Sequence, residues 1–227
     1  MRSLIIAAAL TCAFAVAPAH ARDYVVELTY AAPADVQQGA PTIMLGPVAD
    51  EREHDDIALG SIRGGYGNPL KTLVTARPVS DVFGQAMNDA LAARGMANES
   101  GPHRMSIRIL RLDCNHFFPR EAHAQIVVRV EDISSGALLF EGAYAGDEAQ
   151  GTMGASIFSP IEPLRALANL VMQQAIDRAL DDPALRAALA AAPAPAPAEA
   201  APAEAPAEAP AEANPAPETD TGPGSAN

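Results

Sequence analysis

Two apolar segments, residues 122–133 and 137–147, are separated by only three residues, Ser134, Ser135 and Gly136. Apolar and polar side chains alternate in both segments, as they do in a strand that buries one face. A glycine at the third position of a three-residue loop is typical of a β-hairpin, because that position has a positive φ. The sequence therefore predicts an antiparallel hairpin, and the rest of the chain must fold against its apolar face.

The three-residue loop also predicts how the two strands are aligned. It places Ile133 opposite Ala137. The pairs that follow are Val130 with Phe140 and Ile126 with Tyr144 on the buried face, and Arg129 with Glu141 on the solvent face. Apolar pairs on one face and an opposite-charge pair on the other make this register self-consistent.

Periodic segments elsewhere predict further strands and helices. Strands are predicted over residues 23–31, 41–50, 56–62, 70–76 and 103–113. Apolar residues at helical spacing predict amphipathic helices over 78–95 and 159–180, and Asp182 followed by Pro183 predicts a short third helix. Because strands occur in runs and the helices are separate from them, we predict an α+β fold. It has two layers, with two amphipathic helices packed on one face of a mostly antiparallel or mixed sheet.

The two long helices carry recognisable end signals. Ser80 is the candidate N-cap of the first helix, and Gly95 is its candidate C′ residue. The second helix opens with the capping-box pattern Ser159, Pro160 and Glu162. The sequence therefore predicts that serine side chains begin both helices.

The ends of the chain differ from its centre. Residues 1–21 combine a positive start, an apolar run and small residues, the pattern of a cleaved secretory signal peptide. Cys12 lies inside the apolar run rather than at its end, so we expect no lipid anchor. Residues 193–227 are almost entirely Ala, Pro and Glu and are expected to be disordered. We predict one globular domain, residues 22–192, exported to the periplasm.

A glycine-rich stretch, GGYGNPLKT at residues 64–72, resembles a phosphate-binding P-loop. It has Leu70 where the second glycine of the pattern should stand. A P-loop runs directly into a helix, whereas β-branched residues and Pro78 follow here. We interpret the stretch as a turn between two strands and expect no nucleotide binding. The residues expected to supply positive φ values are Gly64, Gly65 and Gly67.

The charge of the chain limits the classes of partner that it can bind. It carries 28 acidic and 15 basic residues, a net charge of −13. No basic patch is visible along the sequence, so binding to nucleic acids and to anionic membranes is disfavoured. After cleavage, no segment is apolar enough to form an integral membrane helix. We expect a protein partner instead, another envelope protein.

Residues 113–123, around the connection between two predicted strands, hold the candidate site residues. Phe117 and Phe118 stand side by side before a proline, and one exposed ring would form a contact for a partner. The alternative is that both rings pack at the rim of the core. Cys114, His116 and His123 are candidate ligands for a soft or borderline metal.

Other readings of these metal candidates stay open. Standard zinc spacings are absent, and a lone cysteine at a strand end commonly packs in the core. Cys114 is the only cysteine beyond the predicted signal peptide, so no intramolecular disulfide is expected. The acidic run at residues 50–56 lacks the spacing of a calcium loop and is expected to be solvated.

The sequence contains no serine-hydrolase, β-lactamase or zinc-protease motif. We therefore expect no catalytic residues, no enzymatic activity and no cofactor. Our leading hypothesis is a periplasmic protein-binding or assembly module. The alternatives are a periplasmic metal-binding protein that uses Cys114, His116 and His123, a hydrolase with an unrecognised site, and a structural envelope protein without a fixed partner.

The order of elements resembles that of the YajG-type family of bacterial envelope lipoproteins. The resemblance runs from about Pro41 to Leu189. Its residues include VADER at 48–52, KTLVTARPVSDVFGQAMNDALAARGM at 71–96, LRL at 110–112, the later EGAYAG, and the terminal ALDDPALRAAL. It implies an exported α+β domain without catalytic residues. The family's lipid-bearing cysteine is missing here, and the Ala/Pro/Glu tail lies outside the resemblance.

Overall fold

The structure, a computed structural model, describes residues 21–36, 41–151 and 154–191. The described residues form seven strands: β1 (Arg22–Val26), β2 (Ile43–Asp50), β3 (Ala58–Arg63), β4 (Pro69–Thr75), β5 (His103–His116), β6 (Arg120–Asp132) and β7 (Leu138–Gln150). They also form three helices: α1 (Val79–Ala93), α2 (Glu162–Leu180) and α3 (Pro183–Ala190). The predicted tail, and all but the last residue of the predicted signal peptide, lie outside the described residues.

All seven strands belong to one mixed sheet. Six follow the order β1-β4-β3-β5-β6-β7, and β2 pairs with the first half of β5. The β1–β4, β2–β5 and β3–β5 pairs are parallel, and the other three are antiparallel. Helix α1 packs against β2, and α2 packs against β5, β6 and β7. The predicted two-layer α+β fold is confirmed.

The core lies between the sheet and the two long helices. In β6, alternate residues from Ala122 to Val130 are buried, and the residues between them are not. The predicted apolar stripes of both helices are buried as well. None of the helices in the described part of the chain combines the length and the apolar character that crossing a bilayer requires.

The β6–β7 hairpin has the predicted register over most of its length. Its pairs include Ile126–Tyr144, Arg129–Glu141 and Val130–Phe140. The register then shifts, and Glu131 pairs with Leu138. The predicted Ile133–Ala137 closing pair is therefore wrong. The Arg129 guanidinium forms its ion pair with Glu131 on its own strand, at 2.8 Å, rather than across the strands.

Asp132 explains the longer loop. Its backbone N–H donates to the carbonyl of Ala137 at 2.9 Å. Its carboxylate accepts hydrogen bonds from the Ser134 hydroxyl at 2.6 Å and from the Ser135 N–H at 2.9 Å. These local bonds favour a turn that begins at the aspartate, one residue earlier than predicted. Gly136 has a φ of 68°, as predicted for a left-handed glycine.

Helix α1 does not begin with its predicted serine cap. Pro78 occupies the N-cap position in an extended conformation, and Ser80 lies in the first turn. The backbone N–H of Val79 donates to the carbonyl of Asp56 at 2.7 Å, so the preceding loop supplies this acceptor. The other end agrees with the prediction, because Gly95 follows the C-cap residue with a φ of 67°.

The start of α2 also differs from the prediction. Ile161 is the N-cap residue, and no side chain caps the helix. The Ser159 hydroxyl accepts a hydrogen bond from the N–H of Ser156 at 2.9 Å, so it belongs to the preceding turn. The predicted capping box is wrong. The prediction for α3 is confirmed, because the Asp182 carboxylate accepts a hydrogen bond from the N–H of Ala184 at 2.7 Å.

The glycine-rich stretch forms the turn between β3 and β4, as predicted. The N–H of Gly64 donates to the carbonyl of Asn68 at 2.9 Å and closes the turn. Gly67 has a φ of 79°, whereas Gly64 and Gly65 have no positive φ, so the prediction is wrong for those two. The turn leads into a strand rather than a helix, unlike a P-loop.

The connection between β5 and β6 is shorter than predicted. β5 continues to His116 and β6 begins at Arg120, so only residues 117–119 lie outside the strands. His116 and Arg120 pair directly across the hairpin, and this pairing extends both strands into the expected loop. At the other edge, β1 ends at Val26, well before the end of the predicted 23–31 strand.

β2 and β3 lie end to end along one edge of β5. They pair with residues 103–109 and 114–116, respectively, which leaves the middle of that edge between them. The buried guanidinium of Arg52 fills this gap. It donates to the carbonyl of Leu112 on β5 at 3.0 Å and to that of Ala58 on β3 at 2.6 Å. The carboxylate of Asp50 accepts two further hydrogen bonds from it, both at 2.8 Å.

A second buried arginine joins the ends of the two long helices. Arg94 donates to Asp177 at 2.9 Å, to Asp181 at 3.1 Å and to the Tyr30 hydroxyl at 2.7 Å. Burial, followed by the hydrogen bond with Asp177, raises the pKa of Tyr30 to about 12. The tyrosine therefore remains protonated and donates to Asp177 at 2.6 Å. This network ties the segment after β1 to both helices.

Candidate docking surface

One end of the sheet is marked by a continuous row of paired residues. Across the sheet, the row consists of Arg22, Lys71, Ile62, His116, Arg120 and Gln150. Three connections extend beyond it: the β3–β4 turn, the β5–β6 turn, and the segment before α2, which is described over residues 154–161. The topology therefore brings together segments that are far apart in the chain.

These connections carry five exposed apolar side chains. Tyr66 at the β3–β4 turn is fully exposed, at 102%, and Phe158 is 90% exposed. Phe118 is 66% exposed, and Phe117 and Ile157 are exposed too. The other aromatic side chains of the described residues are buried or partly buried. We call these five residues the aromatic end.

Two hydrogen bonds hold residues 155–159 across the end of the sheet. The N–H of Ala155 donates to the carbonyl of Phe117 at 3.2 Å. The Lys71 ammonium, on β4, donates to the carbonyl of Ser159 at 2.7 Å. Ile157 and Phe158 lie between these two attachments. Both exposed side chains therefore belong to a segment that hydrogen bonds attach to the β5–β6 turn and to β4.

Two of these five residues were singled out in the sequence. Phe117 and Phe118 were the predicted partner contacts, and both side chains are exposed at the β5–β6 turn. Tyr66, Ile157 and Phe158 were missed. Tyr66 carried a usable signal, because an aromatic residue among the glycines of a short turn has no core beside it to enter. The other two follow β7, which continues to Gln150, past its predicted end at residue 147.

Basic residues lie at the same end of the sheet as the aromatic end, although the chain is acidic. They are Arg22, Lys71 and Arg120 in the row and Arg63 beyond it. Residues 63–70, 117–119 and 151–161 contain no Asp or Glu, in a chain that has 28 of them. The nearest carboxylates along the strands, Asp23 and Glu121, lie one residue inside the row. No basic patch was visible in the sequence because these cations are far apart along it.

The structure does not bring the three predicted metal ligands together. Cys114 and His116 lie two residues apart on β5 and share its buried face. His123 pairs with Asp113 in the β5–β6 ladder and lies on the opposite face, with its Nδ1 2.7 Å from Asp147. Burial, and then the charge of Asp113, raise the pKa of the Cys114 thiol to about 12. Among the described residues, no three His, Cys, Asp or Glu side chains are grouped to hold a metal ion.

The acidic run at residues 50–56 is organised around Arg52. Burial raises the pKa of Asp50, but the hydrogen bonds from Arg52 outweigh this effect and hold that pKa below its usual range. The carbonyls of Asp55 and Asp56 also accept hydrogen bonds from Arg52, both at 3.4 Å. This part of the run therefore fills the gap between β2 and β3.

Comparisons with known proteins concern the fold. No protein-family model matches the chain, and no curated protein matches it. The structure is similar to that of protein XCC0632 from Xanthomonas campestris, of the family DUF330, with a TM-score of 0.53 and 11% identity. The match covers 73% of this chain and 96% of that one. At this identity, the likeness shows a shared fold and no shared function.

Two named bacterial proteins have structures with lower similarity to this one. One is to lipoprotein GNA1162 from Neisseria meningitidis, with a TM-score of 0.26 and 15% identity, covering 56% of this chain and 92% of that one. The other is to the PelC dodecamer from Paraburkholderia phytofirmans, with a TM-score of 0.36 and 13% identity, covering 63% and 95%. Bacterial lipoproteins are thus among the structures that this chain matches, but similarity this low carries no argument about its function.

Proposed function

We propose that this protein is an exported, non-enzymatic module of the bacterial cell envelope that docks onto another envelope component. The aromatic end is its docking surface. The observation that carries the proposal is that every exposed aromatic side chain of the described residues lies at one end of the sheet. Contiguous exposed apolar groups mark interaction sites, and aromatic side chains contribute much of the energy of such contacts.

Folding does not require these five side chains. The core consists of the buried face of the sheet and the stripes of α1 and α2, and the aromatic end lies outside it. Exposed rings at these positions contribute little to stability and reduce solubility. A docking role gives them a physical reason to be there.

The cellular location rests on the sequence. The predicted signal peptide supports export to the periplasm, and the YajG-type resemblance supports a place in the envelope. A non-enzymatic role is supported by the lack of catalytic motifs in the sequence. The metal-binding alternative gains no support, because His123 lies on the opposite face of the sheet from Cys114 and His116.

Site-specific photocrosslinking in living cells tests the proposal. A photoreactive phenylalanine analogue replaces Tyr66 or Phe118, and Ile133, which is exposed at the opposite end of the sheet, is the matched control position. We expect covalent adducts from the first two positions and none from the third. A protein adduct would identify the envelope partner that the sequence predicted, and a lipid adduct would identify a membrane. If positions 66 and 118 form no more adducts than position 133, the proposed function is wrong.

A further inference from the structure

We propose that the envelope component contacted by the aromatic end is the surface of a membrane that contains anionic lipids. This inference rests on the proposed function, which identifies the docking surface but not what lies against it. Two observations favour a membrane over a protein: the shape of the surface and its charge.

The apolar side chains stand at the tips of separate connections. Tyr66, Phe118 and Phe158 lie on three different segments, and each is more than 60% exposed. Protein-binding hot spots are usually packed centres whose anchors are already partly enclosed. Separate protruding rings match the way in which aromatic side chains enter the interfacial layer of a bilayer.

The charge pattern matches anionic headgroups. The four basic residues in and beyond the row lie at the same end of the sheet as the apolar tips, and the three connections contain no carboxylate. Each basic residue near an anionic membrane strengthens binding about fivefold. The chain as a whole has a net charge of −13, so the same membrane repels its other surfaces. Charge alone therefore orients the molecule with this end toward the lipid.

A single introduced tryptophan tests which end meets the lipid. The chain has no tryptophan, so Phe158→Trp reports on the aromatic end and Ile133→Trp reports on the opposite end. Each variant of the exported protein is mixed with phosphatidylcholine vesicles that contain about one phosphatidylglycerol in four lipids. We expect a shift of emission to shorter wavelength for Phe158→Trp, reduced by added salt, and none for Ile133→Trp. Equal shifts for both variants, or none for either, would overturn the proposal.

Co-sedimentation with the same vesicles tests the charges. Arg22→Gln combined with Arg63→Gln should weaken binding about 25-fold, since two cations are lost. The control variant, Arg104→Gln, changes an exposed arginine of β5 far from this end and should bind like the wild type. Circular dichroism confirms that each variant is folded. An Arg104→Gln variant that loses as much binding as the double variant would contradict the inference.

A second pair of variants tests the contribution of the apolar side chains. Tyr66→Ser combined with Phe118→Ser should abolish co-sedimentation, and Leu138→Ser, at the opposite end, should not. If vesicles are not bound while positions 66 and 118 crosslink to a protein, the membrane inference is wrong and the proposed function stands. If there is neither vesicle binding nor any adduct, both are wrong.

Discussion

Replacing Arg52 with methionine should greatly destabilise the sheet. The Arg52 side chain is only 2% exposed, and its partner Asp50 is 15% exposed. Methionine keeps most of the apolar stem but removes every donor. The variant leaves the carbonyls of Ala58 and Leu112 and the Asp50 carboxylate without the guanidinium that now binds them.

The expected cost follows from these contacts. Truncating one partner of a buried ion pair costs about 3–5 kcal/mol, because the other charge stays buried. Each buried carbonyl left without a donor costs about 1–3 kcal/mol, but such losses in one network do not add. We therefore expect Arg52→Met to lower the free energy of unfolding by about 3–5 kcal/mol. For a domain of this size, that corresponds to a fall in Tm of about 6–20 °C.

Urea unfolding followed by far-ultraviolet circular dichroism measures this change. The matched control is Arg111→Met, which removes an ion pair to Asp113 of 2.7 Å from a side chain that is 48% exposed. We expect that control to cost about 1 kcal/mol or less. Adding Asp50→Asn to Arg52→Met should recover part of the loss by removing the stranded charge. If Arg52→Met costs no more than Arg111→Met, Arg52 does not hold the gap between β2 and β3.

Three further predictions concern other sites. Hydrogen bonds from the Ser134 hydroxyl and then from Ser135 lower the pKa of Asp132 from 3.8 to about 2. The ionised Asp132 carboxylate therefore stabilises the fold fully above about pH 4, and this stabilisation is lost as the pH falls toward about 2. In Asp132→Asn, the urea midpoint should lack that part of the pH dependence. The Cys114 thiol, whose pKa burial raises to about 12, should react with a thiol reagent only as fast as the protein unfolds, and rapid reaction of the native protein would contradict its placement. Gly60→Ala should lower the free energy of unfolding by about 3 kcal/mol or more, since the new Cβ would lie 1.7 Å from the Cys114 carbonyl oxygen. Gly65→Ala, which has open space around it, should lower it far less. Equal urea midpoints for the two variants would refute this.

Local periodicity was sufficient to predict most elements. The stripes of α1 and α2 and the register of Ile126 with Tyr144 depend on the spacing of neighbouring residues, which the sequence displays directly. The wrong predictions concern the ends of helices and strands, where a local hydrogen bond decides at which of several neighbouring residues the element begins or ends. The hydrogen bonds to Asp132 start the β6–β7 loop one residue early. The N–H of Ser156 donates to the hydroxyl of Ser159, which was expected to cap α2.

The candidate site was only partly predictable for a different reason. Phe117 and Phe118 stood out because two adjacent aromatic residues before a proline are conspicuous in any sequence. Tyr66 and Phe158 join them only because β3 runs parallel to β5 and β7 ends beside the start of β6. Strand pairing of this kind is set by contacts between distant segments, so no local pattern indicates it.

By itself, the sequence determined the α+β class, the order of helices and strands, and the apolar faces that form the core. Only the tertiary structure decided that β2 and β3 share one edge of β5, which places the buried Arg52 between them. It also decided that four basic residues of an acidic chain meet at one end with the exposed aromatic side chains. The physical reason is the same in both cases: burial of a periodic face is a local property of the chain, whereas the arrangement of strands in a sheet follows from all of their long-range pairings together.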